Sequence, residues 1–249
     1  MSDQVHAGQR LVISWLYATK MNIYGDRGNV IALAQRARWR GIEVEVHEVE
    51  IGDPIPDDTD IFFFGGGQDQ AQVDVARDLQ GAKGEQIRAA VERGAALLSV
   101  CGGYQLLGNH YRPHDAPELP GIGLFDVDAT AGQERFIGNV LIDTAFGQLV
   151  GFENHSGLSQ RNGETAPLGK VIRGGGNNGV DGTEGAIYRN AIGCYIHGAL
   201  LPKNPELTDW LLAAGLRHRY GHEVPLAPLD DSIEKAAHQT ATERALRTR

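Results

Sequence analysis

Four short apolar runs constrain the chain more than any other feature: Leu11–Tyr17 (LVISWLY), Ile61–Phe64 (IFFF), Ala95–Val100 (AALLSV) and Ile192–Ile196 (IGCYI). Each is too short to be a core helix and too continuous for a strand with one wet face, so each reads as a strand covered on both sides. Between them lie helical stretches: one up to Arg40 and stopped by Gly41, then about Asp69–Leu79, then about Gly84–Arg93. Ile42–Val49 (IEVEVHEV) alternates as a further strand. Strands alternating with helices predict an α/β fold, a largely parallel central sheet flanked by helices. From Gly121 the texture changes. Short strands at Leu124–Ala129, Phe136–Ile142, Leu149–Phe152, Lys170–Arg173 and Ala186–Tyr188, separated by Gly, Asn and Thr turns, predict an antiparallel extension. A helix is expected over Asn204–Tyr220, followed by a polar tail from Asp231 that forms a helix or frays. With no linker or repeat in view, the expectation is one domain over 1–249, its core at about 10–221 and the tail at about 229–249.

Composition excludes several function classes. The chain has 249 residues and a formal charge of −9, with no dense Lys/Arg block, which argues against a nucleic-acid or anionic-membrane surface. No apolar run approaches the roughly 18 residues of a membrane span. Met1-Ser2-Asp3-Gln4 opens without a basic segment leading into an apolar one, so no secretory signal is visible and a cytoplasmic location is expected. Two cysteines make no disulfide framework. There is no G-x-x-x-x-G-K-[ST] run to cradle ATP and no Cys/His spacing for zinc, so no cofactor is expected in this chain. Gly174-Gly175-Gly176-Asn177-Asn178-Gly179 is glycine-rich without that lysine and reads as a mobile loop.

The strongest local signal is Ser99-Val100-Cys101-Gly102-Gly103-Tyr104-Gln105. A buried strand ends on Cys101, two glycines follow, and a short helix begins. This is the pattern of a nucleophile elbow, in which a strained turn exposes one reactive side chain. The helix N-terminus favours thiolate, and the Gly102 N–H points toward an oxyanion. Cys194, inside an apolar strand, reads instead as a structural cysteine. Among nine histidines, His197 stands at the end of a strand, and in a parallel sheet the carboxyl ends of strands converge on one rim. Cys101 and His197 on that rim make a thiol–imidazole pair suited to hydrolysis. His155, in the run Asn154-His155-Ser156-Gly157, is the one other histidine that is not surface-like by default.

Four motifs occur in order: Gly65-Gly66-Gly67-Gln68-Asp69, Cys101-Gly102-Gly103-Tyr104-Gln105-Leu106-Leu107-Gly108, Gly151-Phe152-Glu153-Asn154-His155-Ser156-Gly157 and Tyr195-Ile196-His197-Gly198. Together they resemble class I (triad-type) glutamine amidotransferases, in the branch of the cobyric acid and cobyrinic acid diamide synthase glutaminase domains. The runs Met21–Asn29 and Gly132–Asn139 carry a narrower resemblance, to GatD-type glutaminase subunits that work with MurT-like ligases in amidating lipid II. The resemblance implies hydrolysis of L-glutamine through a Cys101 thioester, with His197 moving the protons. It implies oxyanion donors at Gly102 and in the Gly65–Gly67 turn, Gly66 and Gly67 included. It implies Arg135 on the substrate α-carboxylate, and Gln105 as a further substrate contact. It also implies a separate MurT-like ligase, with ATP and Mg on that partner.

One position departs from the class pattern: Ala199 stands where many members carry a Glu two residues after the histidine. The acid orienting His197 is then Asp26, Glu153 or absent. Two other outcomes stay open, a glutaminase serving another acceptor such as a corrin carboxylate, and a non-catalytic subunit that regulates a ligase.

Overall fold

The structure is a computed structural model that describes residues 8–248. Five parallel strands form most of the first sheet: β1 (Arg10–Leu16), β2 (Glu43–Val49), β3 (Ile61–Phe64), β4 (Ala96–Val100) and, much later in the chain, β12 (Ala191–Cys194). Their order is β2-β1-β3-β4-β12, and β11 (Ala186–Tyr188) closes the edge antiparallel to β12. The helices are α1 (Arg27–Arg38), α2 (Asp69–Leu79), α3 (Ala82–Glu92), α4 (Gly102–Leu107) and α5 (Pro205–Tyr220). In α1, the buried Val30, Leu33, Ala34 and Ala37 recur at helical spacing. Helix α5 starts with a proline, whose missing N–H costs nothing there, and stops at Gly221 in the left-handed region. Because the chain winds one way from β1 to β2 and the other way from β3 onward, a crevice opens at the carboxyl ends of β1 and β3.

The second sheet differs from the sequence expectation. In place of several short strands, it is built on two long ones, β7 (Val127–Thr144) and β8 (Gly147–Arg161), 18 and 15 residues long. Their register shifts between Ala131 and Phe136, where the polar run Gly132–Arg135 bulges. On β8, pairing of Asn154, His155 and Gly157 with β7 overrides the local turn preference of the Asn and Gly there. Strands β5 (His110–Arg112), β6 (Leu119–Pro120), β9 (Gly169–Arg173) and β10 (Thr183–Glu184) complete the sheet. One apolar cluster includes residues of both sheets, from Leu11 and Phe62 to Val140 and Leu149.

One further expectation is corrected, and one left open between two outcomes is decided. The glycine run 174–179 is pinned rather than mobile: Asn177 is fully buried and bonds the Gly185 backbone in both directions, at 3.0 Å each. The polar tail forms α6 (Ser232–Arg247), which packs on the ribbon through Ala245 against Leu141 and Val150.

Candidate active site

Each reactive group comes from a loop at the carboxyl end of a parallel strand. Cys101 follows β4 directly, with φ +53° and ψ −109°, a conformation that side-chain-bearing residues rarely adopt. Its N–H is tied to the Cys194 carbonyl of the neighbouring strand at 2.8 Å, and its own carbonyl accepts from Gln105 N–H at 3.0 Å. The strain therefore turns the side chain off the sheet, and the thiol faces a cavity of about 460 Å³. Gly102 opens α4, where the first N–H groups of a helix have no intrahelical acceptor.

His197 follows β12 and is completely buried. Its backbone is clasped by Phe152 of β8, His197 N–H donating at 2.7 Å and Phe152 N–H returning the bond at 3.2 Å. Its ring Nδ1 lies 3.2 Å from Asp26 Oδ1, and Tyr24 stands edge-on to the ring at 5.0 Å. Both the ring and the Cys101 Cβ border Gly66. Among the described residues Nε2 makes no hydrogen bond of ordinary geometry, although the Cys101 side chain lies beside it. Burial disfavours the imidazolium, yet the adjacent Cys101 thiolate and Asp26 outweigh it and push His197 up to about 10.

Asp26 is fully buried, in the loop from β1 to α1. Its Oδ2 accepts the Gly66 N–H at 2.8 Å while Oδ1 faces His197. The Ala199 departure has a steric counterpart here. A Cβ on Gly28, two residues past Asp26, would stand 2.5 Å from the Ala199 Cβ. The start of α1 thus closes onto the position where the class pattern has its Glu, and the acid arrives on α1's side of the contact. Glu153 takes a different place. Its carboxylate accepts Gly175 N–H at 2.8 and 2.9 Å and Gly176 N–H at 3.3 Å, binding the glycine run to β8. Burial pushes its carboxyl upward against these bonds.

The ribbon forms the facing wall of the cavity, with Arg135, Ile137, Asn154, His155, Ser156 and Gly157. Arg135 is exposed and reaches Asn154 Oδ1 through Nη1 at 2.9 Å. Gln105 also lines the cavity, its Nε2 donating to Tyr195 Oη at 3.2 Å. Tyr195 Oη bonds Ser159 Oγ at 2.8 Å, and its ring stacks on His155 at 3.8 Å and 6°. His155 Nδ1 donates to the Gly157 carbonyl at 2.8 Å, which makes the ring a neutral Nδ1–H tautomer. Burial holds it neutral down to about 4.

Cys101, Gly67, Gln105 and Arg135 line one cavity, whereas His197 and Asp26 are fully buried outside its lining and Gly102 is not among the lining residues. Gly66 stands apart from the expectation: its N–H is committed to Asp26, and Gly67 is the glycine of that turn that lines the cavity. The sequence reading missed Ile23, Tyr24, Gln68, Gln72 and Tyr111, which complete the lining. Gln68 lay within a quoted motif, and Ile23 and Tyr24 within the run Met21–Asn29; Gln72 and Tyr111 carried no signal that distinguishes them from ordinary polar and aromatic residues.

Residues 12–205 match the model of the CobB/CobQ-like glutamine amidotransferase domain. The chain belongs to this glutamine amidotransferase family. Among relatives of the amidotransferase, the GatD subunit of lipid II isoglutaminyl synthase (glutamine-hydrolyzing) from Staphylococcus aureus is 40% identical, over 95% of this chain and 97% of that protein. The GatD subunit from Streptococcus pneumoniae is 36% identical, over 91% and 88%. A cobyric acid synthase from Sphingopyxis alaskensis is 32% identical over 78% of this chain, but only 40% of that longer protein is covered. Solved structures share the fold: PurLQS from Thermotoga maritima at TM-score 0.55 and 17% identity (86% of this chain, 98% of that one), and a glutamine amidotransferase at 0.54 and 16% (81% and 98%). Among the described residues of this amidotransferase, no helix is long and apolar enough to cross a membrane.

Proposed function

We propose that the chain is the glutaminase subunit of a two-component, ATP-dependent amidotransferase acting on lipid II. The observation that carries the hydrolytic part is the strained Cys101 at the cavity wall, beside a buried His197 held by Asp26. Arg135 takes the α-carboxylate of L-glutamine with its planar fork, and Gln105, fixed by Tyr195, contacts the same substrate. His197 Nε2 holds the proton taken from Cys101, and the resulting thiolate Sγ bonds to the carboxamide carbon. The carbonyl electrons move onto oxygen, where the N–H groups of Gly102 and Gly67 stabilise them. On collapse the C–N bond breaks, and His197 returns the proton to the departing ammonia. Water, giving its proton to His197, then attacks the thioester; the C–S bond breaks, and glutamate and the thiol are released.

The acceptor side rests on the GatD relatives, which cover almost their whole length. The partner is a MurT-like Mur ligase. It binds ATP and Mg, activates the α-carboxylate of D-glutamate in the peptidoglycan stem and amidates it to D-isoglutamine with the ammonia supplied. The reaction belongs to the cytoplasm, where ATP and the lipid II precursor are available.

Ammonia release from glutamine is the test, with the purified chain alone and with a MurT-like ligase, alongside Cys101→Ser. Turnover abolished by the substitution supports the glutaminase. Turnover that survives it overturns the thioester route. Amidation of lipid II by the pair, with glutamine as nitrogen source, separates this acceptor from a corrin carboxylate.

A further inference from the structure

The segment that follows His197 is held in a conformation that its own residues do not favour. Gly198 and Ala199 are both left-handed, at φ +77° and +48°, and Ala199 carries a side chain there. Two consecutive left-handed residues turn the chain away from β12 into the short 3-10 turn Leu201–Lys203. The turn has identifiable anchors. Leu201 N–H donates to Asn29 Oδ1 at 2.9 Å, which ties it to α1, the helix whose N-cap is Asp26. Lys203 reaches back over the turn, its Nζ donating to the Gly198 carbonyl at 2.7 Å and the Ala199 carbonyl at 3.3 Å. The Lys203 carbonyl is in turn bonded by His238 Nδ1 of α6 at 2.9 Å.

Lys203 is costly where it is. It is only partly exposed, its burial disfavours the charge, and no carboxylate pairs with it among the described ion pairs. Two carbonyls are its compensation, and they belong to the two residues immediately after His197. A surface lysine at this position would escape the desolvation penalty. The benefit therefore lies in what the two carbonyls fix. His197 must keep Nδ1 on Asp26 and Nε2 toward Cys101 at once, so a small drift of its backbone degrades both contacts. Phe152 fixes the His197 peptide itself, and Lys203 fixes the strained turn that leaves it.

We propose that Lys203 is a positioning residue for the hydrolytic reaction: by bonding the Gly198 and Ala199 carbonyls it holds the left-handed turn that sets His197 between Asp26 and Cys101. It touches neither substrate nor reacting atoms. The proposal rests on the glutaminase reading and gives this chain a device at the position where the class pattern carries its Glu. The Ala199 side chain lies against Gly28, and Lys203 holds the turn through its carbonyls.

The experiment compares wild type, Lys203→Met and Lys203→Arg in glutamine turnover, with thermal melting of each, using the full chain with its MurT-like ligase. Displacing a catalytic group by about 1 Å costs on the order of 100-fold, so Lys203→Met is expected to lower kcat roughly 10- to 100-fold. KM for glutamine should stay near the wild-type value, because Arg135 and Gln105 are untouched. Lys203→Arg, which keeps a cation with donors, should recover most of kcat. A Lys203→Met protein that melts like wild type and keeps kcat within about twofold overturns the proposal, as does an equal loss in Lys203→Arg and Lys203→Met. If Lys203→Met does not fold, Lys203→Gln replaces it, and failure of that variant to fold as well overturns the proposal in favour of a purely structural lysine. Wild type that releases no ammonia, alone or with the ligase, refutes the glutaminase reading itself, an outcome distinct from all of these.

Discussion

The parallel sheet and the β7–β8 ribbon meet at one backbone bridge, between His197 and Phe152, and they bring different things to it. The sheet delivers reactive groups. Asp26, Gly67, Cys101 and His197 come from four separate loops, all at the carboxyl ends of strands, and Asp26, Cys101 and His197 are held by backbone bonds that leave little freedom. The ribbon delivers a wall: Arg135, Asn154 and His155 are consecutive or cross-strand neighbours on two long strands, and Arg135 is exposed. Strain collects on the sheet side, at Cys101 and Ala199, where atoms must react. Under the proposed function the loop ends carry the chemistry, while Arg135 on the bulged ribbon holds the substrate α-carboxylate and Gln105 of α4 contacts it from the sheet side.

That division of labour is breakable by measurement. Cys101→Ser should lower glutamine turnover on the order of 1,000-fold or more with substrate still bound, read as kcat against binding of unreacted glutamine. Asp26→Asn should lower kcat on the order of 100-fold or more, since the amide cannot support an imidazolium on Nδ1. If it leaves kcat near wild type, the buried Asp26–His197 contact is structural. On the ribbon, Arg135→Lys should raise KM for glutamine about tenfold and change kcat much less, because a point charge replaces a planar fork. A fall in kcat at unchanged KM would erase the distinction between wall and loops.

The smallest effect concerns stability beneath the junction. Glu184 is buried, accepts the Tyr195 N–H with one oxygen and has no partner for the other. Burial pushes it from the ordinary 4.5 up to about 8. The folded chain therefore retains a proton that the unfolded chain releases, and Glu184 removes stability as pH rises from 4.5 through about 8. Glu184→Gln should match wild type in melting temperature near pH 4 and exceed it by about 1–3 kcal/mol in unfolding free energy near pH 8. Parallel melting curves at both pH values would show that Glu184 keeps its proton in neither state.

Much of the sheet was legible because it rests on local signals. Ile61–Phe64 has the same bounds as motif and strand, and the elbow at Cys101 declares itself through a buried run, a cysteine and two glycines in nine residues. The ribbon was less legible. Its strands run through Gly132–Arg135, which bulges out of the ladder, and through the turn-prone Asn154–Gly157, which pairing with Ala131, Phe136 and Ile137 holds extended. The glycine run 174–179 looked mobile because its anchors, Glu153 and the Gly185 backbone, are distant or silent in sequence.

What the sequence by itself determined was the set of reactive residues and the rim on which they meet, because a parallel sheet sends every strand's carboxyl end to one side. It ranked Asp26 ahead of Glu153 as the acid orienting His197, on family resemblance. Only the tertiary structure set Asp26 against His197, through a contact spanning 171 positions. It also decided that Gly66 serves the acid while Gly67 faces the cavity, and that Lys203 bonds the turn after His197. Such pairings depend on how loops from separate strands pack against one another, and residue type and spacing along the chain carry no record of that.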